Sequence, residues 1–308
     1  MTSPRAKLTN RLQTLCTEHD LTWDEQLAND IPRKWRIHGD MLLLPSSRCF
    51  VDPRWTTHIP SDLFWTTVAQ AFGSSIKRIA FEGAIKNDDF RSPTTRLVLG
   101  SDPWVHLVEN GVKFSYNVDK SMFCAGNNTE RMRMGRVTCV NETIVDLYAG
   151  IGYFTLPFLV HGHARYVYAC EWNPDSLEAL RRNLEANHID QDRYTLLLGD
   201  NQKTCPVGVA DRCNLGLIPS SEASWSIACR ALRREGGRLH VHGVANTKEE
   251  THEQWSENVR QRIRTLMKEV HSDDDDYQCD IEHIECVKPY GPRLDHLVVD
   301  LLLTRIDC

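Results

Sequence analysis

Three stretches of this 308-residue chain hold residue types at spacings that could bind a nucleotide and act on it. Asp146, Tyr148, Gly150 and Gly152 lie in "VDLYAGIGYFTLPF", Glu171 ends "YACE", and Asp200 and Asn201 follow "LLLG". An apolar run, an acid, a G-x-G turn and a second apolar run describe a strand, a tight loop and a helix. Such a loop turns backbone N–H groups towards a nucleotide. Three features select among nucleotides. A dinucleotide fingerprint needs a third glycine three places after Gly152, where this chain has Thr155. The lysine and Ser/Thr of a phosphate-binding P-loop are absent. Glu171 ends the next strand, about 20 residues on, where a carboxylate can accept both ribose hydroxyls. Asp200, with Asn201 beside it, ends the strand after that and can accept from an adenine amino group. Asp146 shapes the loop and faces the far end of the ligand. A nucleoside without phosphates, held by acids at successive strand ends, is S-adenosylmethionine. The ordered set carries this reading, because a lone G-x-G or a lone strand-end acid is common.

The elements around these residues alternate. "TIVDLYA", "YVYACEW", "YTLLLG", "ADRCNLGL" and "RLHVHG" read as strands, with helical patterns between them. Asn173 and Pro174 start one such helix as N-cap and first residue, and Leu177, Leu180 and Leu184 form its inward stripe. A long polar helix runs to about His271. "DIEHIECVK" and "DHLVVDLLL" flank "PYGPRL" as a closing hairpin. The expected fold class is α/β: a class I methyltransferase Rossmann-like sheet with a terminal antiparallel hairpin, preceded by a smaller α+β domain. In that domain short strands surround one helix over residues 62–73, and a further helix is expected over residues 4–19. The expected boundaries are a helical segment at 1–30, a small α+β domain at 31–120 and a cofactor-binding domain at 121–308.

Composition bounds the class. The chain is 41% hydrophobic and 25% charged, with no apolar run long enough to span a bilayer and no signal-peptide core. Its eleven cysteines lack C-x-x-C pairs and read as reduced thiols of a cytoplasmic or nuclear protein. Cys279, His283 and Cys286 raise the question of a metal, but their spacing suits a strand with mixed faces, and no metal is expected. The net charge of −6 is uneven: 18 basic and 15 acidic residues over 1–140, then 18 and 27. This neither supports nor excludes an RNA partner, since a local basic face suffices. Nothing in the sequence points to a membrane or to an obligate protein partner.

"MFCAGNNTERMRMG", "VDLYAGIGYFTLPF", "ACEWNPDSLEALRRNL", "GDN" and "DRCNLGLIPSS" resemble the tRNA wybutosine-synthesising protein 2 family. "NDDFRSPTTRLVLG" and "WVHLVENGVKFS" resemble it too, so the similarity covers residues 30–308. The resemblance implies an aminocarboxypropyltransferase acting on a tricyclic guanine-derived base at position 37 of phenylalanine tRNA, in its anticodon loop. The related guanine-N1 methyltransferases carry Asn-Leu-Pro after the fourth strand. Here the run is Asn214-Leu215-Gly216, with proline only at Pro219. Cys124 stands where the family pattern has serine. With this resemblance, Cys124 and Arg131 become candidates for the methionine end of the cofactor. Glu130 becomes the candidate base, with a salt bridge or cap as its structural alternative. Asn214, Pro219 and Ser220 are expected to line the base pocket. Arg91, Arg133 and Lys288, with Lys77, Arg78, Lys86, Arg96 and Arg136, are expected to meet tRNA phosphates, so the resemblance makes 31–120 a tRNA-facing domain and 121–308 the S-adenosylmethionine-binding catalytic domain. Trp172 and Tyr290 are candidates for stacking on a base or on adenine. Two rival functions stay open: guanine-N1 methyl transfer at the same position, and RNA binding by a non-catalytic subunit.

Overall fold

The computed structural model describes residues 3–46, 49–88, 90, 92–271 and 276–306. The chain divides into two compact units, 1–107 with 115–122, and 108–114 with 123–308. In the first unit Ser3 accepts from the Ala6 N–H and Pro4 opens helix α1 (Pro4–Glu18), so the helix begins where backbone donors need a cap. There follow α2 (Glu25–Asn29), β1 (Arg36–His38), β2 (Met41–Pro45), α3 (Arg54–Thr57), α4 (Ser61–Phe72), β3 (Arg78–Glu82) and β4 (Thr95–Leu99). The four strands form one sheet in chain order, with only β2 and β3 parallel. Leu8, Leu12 and Leu15 of α1 share a core with Leu27 of α2, Leu42 and Phe81 of the sheet, and Phe64, Trp65 and Val68 of α4. The helices α1 and α2 therefore belong to the packed body of this unit. α2 and α3 are too short to show a sequence period, and Asp24 caps α2 by accepting from the Leu27 N–H. A hairpin of β5 (Trp104–Glu109) and β6 (Val112–Asn117) spans the division, and its tip is counted with the second unit.

The second unit contains α5 (Asn128–Arg136), β7 (Thr143–Asp146), α6 (Thr155–Val160), β8 (Tyr166–Glu171), α7 (Pro174–Ala186), β9 (Tyr194–Leu198) and α8 (Asn201–Thr204). Then come β10 (Arg212–Leu215), α9 (Trp225–Ala231), β11 (Gly236–Asn246), α10 (His252–His271), β12 (Asp276–Gly291) and β13 (Leu294–Ile306). Its sheet runs β12-β13-β11-β10-β7-β8-β9, with β11 to β9 parallel and β13 antiparallel to both of its neighbours. This is the expected α/β sheet with its terminal hairpin, and the order reverses between β7 and β10. Ligands of open α/β sheets bind beyond the carboxyl ends of the strands at such a reversal. Helix α5 was not expected, because the inward side of "NTERMRMGR" carries Glu130 and Arg131 beside Met134 and leaves no apolar period to read. The buried stripe of α7 also departs from expectation: Ser176, Ala179, Leu180, Asn183 and Leu184 face in, while Leu177 is half-buried. Alternation along β11 sends Leu239 and Val241 into the apolar core with α9 and α10. His240 and His242 point to the opposite face, against Phe158 and Phe154.

Candidate functional site

The loop after β7 is built by glycines that nothing else replaces. Gly150 sits at φ +55° and Gly152 at φ +102°, the left-handed region that disfavours a Cβ. A Cβ on Gly152 would lie 2.8 Å from Leu180 and 2.9 Å from Leu156. Asp146 is completely buried beneath this loop. Its two oxygens accept from Asn214 Nδ2 at 3.0 Å and Thr155 Oγ1 at 2.7 Å. Thr155, in place of a third glycine, thus ties the start of α6 to β7, while Asn214 ties in β10. Burial raises the carboxyl pKa of Asp146, and the two donors oppose that rise. Its role in this geometry is to hold the loop's shape.

Glu171 closes the loop from the next strand. Gly150 N–H donates to its Oε2 at 2.6 Å and Asn173 N–H to its Oε1 at 2.7 Å. Burial raises its pKa against these donors. Carboxylate oxygens carry several acceptor directions, so Glu171 can hold the loop and still take ribose hydroxyls. Trp172 follows it, 52% exposed, at the rim. Asp200 caps α8 by accepting from the Gln202 N–H at 3.0 Å and remains half-exposed. Asn201 donates to the Leu147 carbonyl at 3.0 Å and accepts from Ser224 Oγ at 3.2 Å, while Ser224 meets the Tyr148 hydroxyl at 2.6 Å. The loop, Glu171, Asp200 and Asn201 thus converge at the carboxyl ends of β7, β8 and β9.

Several charged candidates have partners that the sequence did not reveal. Arg131 is expected at the cofactor's carboxylate, yet its Nε donates to Glu109 Oε2 at 2.6 Å and its Nη1 to the Cys124 carbonyl at 2.9 Å. Its guanidinium also lies over Phe123, 5.0 Å from the ring centre. The charge of Arg131 is already met, and the residue fixes the loop that carries Cys124. Arg133 is expected at a tRNA phosphate, but it grips both oxygens of Glu130 at 2.8 Å and Asp300 Oδ2 at 2.5 Å. Arg78 of the first unit is paired with Asp40 and donates to the Asp102 and Trp104 carbonyls, which leaves it little reach to a phosphate. Lys288 Nζ stands 3.6 Å from Cys124 Sγ, turned to the cofactor-side loop. Arg91 lies outside the described residues. Lys86, Arg96 and Arg136 are exposed, as is Tyr290. Pro219 follows a cis peptide bond and its carbonyl accepts from Val244 N–H, which lays Ser220 against β11; Ser220 is exposed. Cys279, His283 and Cys286 do not form a ligand set: Cys279 is buried, whereas His283 pairs with Glu285. Among the described residues the one grouping of metal-type side chains is His252, Cys286 and Asp295.

Glu130 is wholly buried, and burial raises its carboxyl to about 7 despite the Arg133 ion pair. The cause is visible. One guanidinium is shared by two carboxylates, and Asp300 is the better served. Burial alone would raise Asp300, but His240 and Arg133 outweigh it and hold that carboxyl well below its usual range. Arg212 Nη1, which can only donate, meets His240 Nε2 at 2.7 Å, so His240 Nδ1 carries the proton and donates to Asp300 Oδ1 at 2.6 Å. Burial keeps His240 neutral by lowering its pKa, in keeping with that tautomer. A continuous chain results: Glu142–Arg212–His240–Asp300–Arg133–Glu130. His240→Leu strands the buried Arg212 and Asp300 groups, and should lower unfolding free energy by about 3 kcal/mol in urea titration at neutral pH.

Sequence reasoning missed these histidines. His242 Nδ1 and His296 Nε2 are 3.1 Å apart, and both rings are buried. Burial pushes His242 well below its ordinary value, and burial with the Lys288 charge brings His296 to about 4, so the pair is neutral at pH 7. The signal was present: "LHVHG" places two imidazoles on one face of a strand whose other face is apolar.

Residues 105–273 match the family described as TRM5/TYW2 methyltransferase domain, and residues 20–103 that described as TYW2 N-terminal domain. The chain is 40% identical to a tRNA wybutosine-synthesizing protein 2 homolog from Bos taurus over 352 residues, which covers 97% of this chain and 78% of that protein. It is 46% identical over 277 residues to the tRNA wybutosine-synthesizing protein 2/3/4 of Arabidopsis thaliana, covering 90% of this chain but only 27% of that longer protein. A crystal structure of Pyrococcus horikoshii TYW2 in complex with MeSAdo superposes with a TM-score of 0.73 at 26% identity, covering 96% of this chain and 99% of that one. With domain matches along most of its length and a relative 40% identical across 97% of it, the chain belongs to the tRNA wybutosine-synthesizing protein 2 family.

Proposed function

We propose that the protein transfers the 3-amino-3-carboxypropyl group of S-adenosylmethionine to C7 of 4-demethylwyosine at position 37 of phenylalanine tRNA, in the cytoplasm. The observation that carries this reading is the Glu171 carboxylate, held at the mouth of a glycine loop and bonded to Gly150 N–H. Such a site fits a nucleoside whose hydroxyls need acceptors and whose 5′ substituent carries no phosphate. Glu171 would hold the ribose and Asp200 the adenine edge, with Trp172 beside them at the rim. Gly150 and Gly152 keep the loop low beneath the sulfur. When bound, S-adenosylmethionine supplies the electrophilic carbon chain and leaves as methylthioadenosine.

The rest falls to the chain's own residues. Arg131 and Glu109 fix the Cys124 loop, and Lys288 approaches its sulfur, so the wall for the amino acid end is rigid. Rigid placement decides which of the three sulfonium carbons faces the acceptor, and good alignment supplies about 7–11 kcal/mol of barrier reduction. The attacked ring carbon must lose its proton after the new bond forms. Glu130 is the candidate to take it; burial raises its carboxyl to about 7, and Arg133, which donates to both of its oxygens, would have to yield one of them to the proton. Asn214, Pro219 and Ser220 line the path of the base.

Guanine-N1 methyl transfer is the second reading, and one local feature disfavours it. A Cβ at Gly216 would lie 3.2 Å from both Asn214 Nδ2 and the Phe154 ring, so the proline of that branch would crowd this turn. Among the described residues no helix is long and apolar enough to cross a membrane. Incubation with S-adenosylmethionine and, in parallel, tRNA bearing 4-demethylwyosine or unmodified guanosine at position 37, followed by mass spectrometry, tests the proposal. Methylthioadenosine with an aminocarboxypropylated nucleoside is the expected result. S-adenosylhomocysteine with a methylated guanosine would replace the proposal by the second reading.

A further inference from the structure

The first unit carries two grooves whose charge is opposite to that of the chain as a whole. One, of about 410 Å³, lies between α1 and α4 and is lined by Lys7, Asn10 and Arg11 with no acid. The other, of about 520 Å³, lies along the β1 edge and is lined by Arg33, Lys34, Trp35 and Arg36, with Glu82 as its one acid. Arg36 already pairs with that glutamate. Five exposed cations therefore stand against one neutralised carboxylate, in a protein of net charge −6. The grooves meet at an aromatic pair: Trp35 lines the second, Phe72 lines the first, and their ring centres are 5.0 Å apart at 72°. Not every groove of the molecule has this character; one in the second unit places Glu249, Glu250 and Glu253 around Lys248.

The fold produces the patch. Lys7 and Arg11 are one helical turn apart on the outer side of α1, because Leu8, Leu12 and Leu15 take the inner side. "RKWR" enters β1, the edge strand of its sheet, and only its tryptophan is drawn towards the core. Among the described residues Arg33 donates to the neutral Asn29, at 3.3 Å, and has no ion-pair partner.

We propose that these two grooves bind the sugar–phosphate backbone of the tRNA, with Trp35 between them as an aromatic surface against which sugar or base can pack. This rests on the reading that the protein acts on tRNA, and adds where the first unit holds it. A polyanion with one charge per residue suits cations spread over two grooves, whereas a single acidic side chain would engage only one of them. Contacts of this kind position the RNA without reading its sequence.

Filter binding tests the proposal on the full chain, with the tRNA substrate at several salt concentrations. Two double variants are compared with wild type: Arg33→Glu with Lys34→Glu, and Lys7→Glu with Arg11→Glu. All four side chains are exposed, and calorimetry with methylthioadenosine confirms that the second unit is intact. Each variant should bind tRNA about tenfold or more weakly, and the slope of log affinity against log salt should shrink by about 2. At saturating tRNA the turnover number should stay within about twofold of wild type, since phosphate contacts of this kind position rather than catalyse. Unchanged affinity and slope in both variants overturn the proposal, and would leave the grooves to an acidic protein. If wild type itself neither binds nor modifies tRNA, the functional reading fails as well. Wild-type turnover with unaltered variants fails this inference alone.

Discussion

Glu171→Ala is expected to weaken binding of S-adenosylmethionine or methylthioadenosine by at least about 100-fold, the largest change of any single substitution in the site. The side chain accepts two backbone N–H groups at 2.6 and 2.7 Å, one from the glycine loop and one from the start of α7. Hydrogen bonds to charged groups are worth about 1.5–3 kcal/mol each, and two ribose hydroxyls lose that contact while the backbone bonds, present with and without ligand, no longer hold the loop in place. Even the lower value for two bonds exceeds a hundredfold in affinity. Glu171→Gln keeps one acceptor oxygen but turns an N–H₂ towards a backbone donor, so its loss should be intermediate. The pH dependence has a definite sign. Burial raises the Glu171 pKa, so its carboxylate takes up a proton sooner than an exposed one as pH falls. Affinity should decline on acidification and the Ala variant should be insensitive. Titration calorimetry between pH 5 and 8 is the measurement. An Ala variant within threefold of wild type would remove Glu171 from the ligand site.

The second large effect concerns Glu130, whose carboxyl is raised by burial to about 7 from its ordinary 4.5. Between those values the unfolded chain has released this proton while the folded chain retains it. Stability must therefore fall as pH rises from about 4.5 to 7, and stay at its lower value above that. The full difference is about 3 kcal/mol, from about 1.36 kcal/mol per pH unit. Glu130→Gln should abolish this slope, and urea denaturation at pH 5 and pH 8 will show it. The same substitution reports on chemistry. If Glu130 takes the proton from the acceptor carbon, turnover rises through pH 7 in wild type, and the Gln variant loses about 10²–10⁴-fold in turnover with little change in KM. A variant that loses the stability slope but keeps turnover would assign Glu130 to structure alone.

Asp300 provides the contrast. Its carboxyl is held well below the usual range by His240 and Arg133 against the cost of burial. That contribution is complete above the unfolded pKa and is lost as pH falls through the folded value. It therefore acts at strongly acidic pH, well away from the Glu130 window. Two carboxylates on one arginine thus act in opposite directions, and their separation in pH makes them individually measurable.

Features that depend on neighbours in the chain were legible without a structure. Gly150 and Gly152 specify a left-handed loop, Asn173 with Pro174 starts α7, and the succession of strands and helices specifies the sheet. Acids at strand ends were legible because a strand's end is a local event. α5 was not, since its inward face carries an ion pair in place of an apolar stripe. Tertiary structure decided which charges are spent. Arg133 meets Asp300, 167 residues away, and Arg131 meets Glu109, because a sheet and a hairpin bring them together. The pairing of β11 with β13 sets His240 opposite Asp300 and so fixes the tautomer of that histidine. Sequence shows which residue types could do chemistry. Contacts between elements distant in the chain decide which of them remain available to a ligand and which are already satisfied by one another.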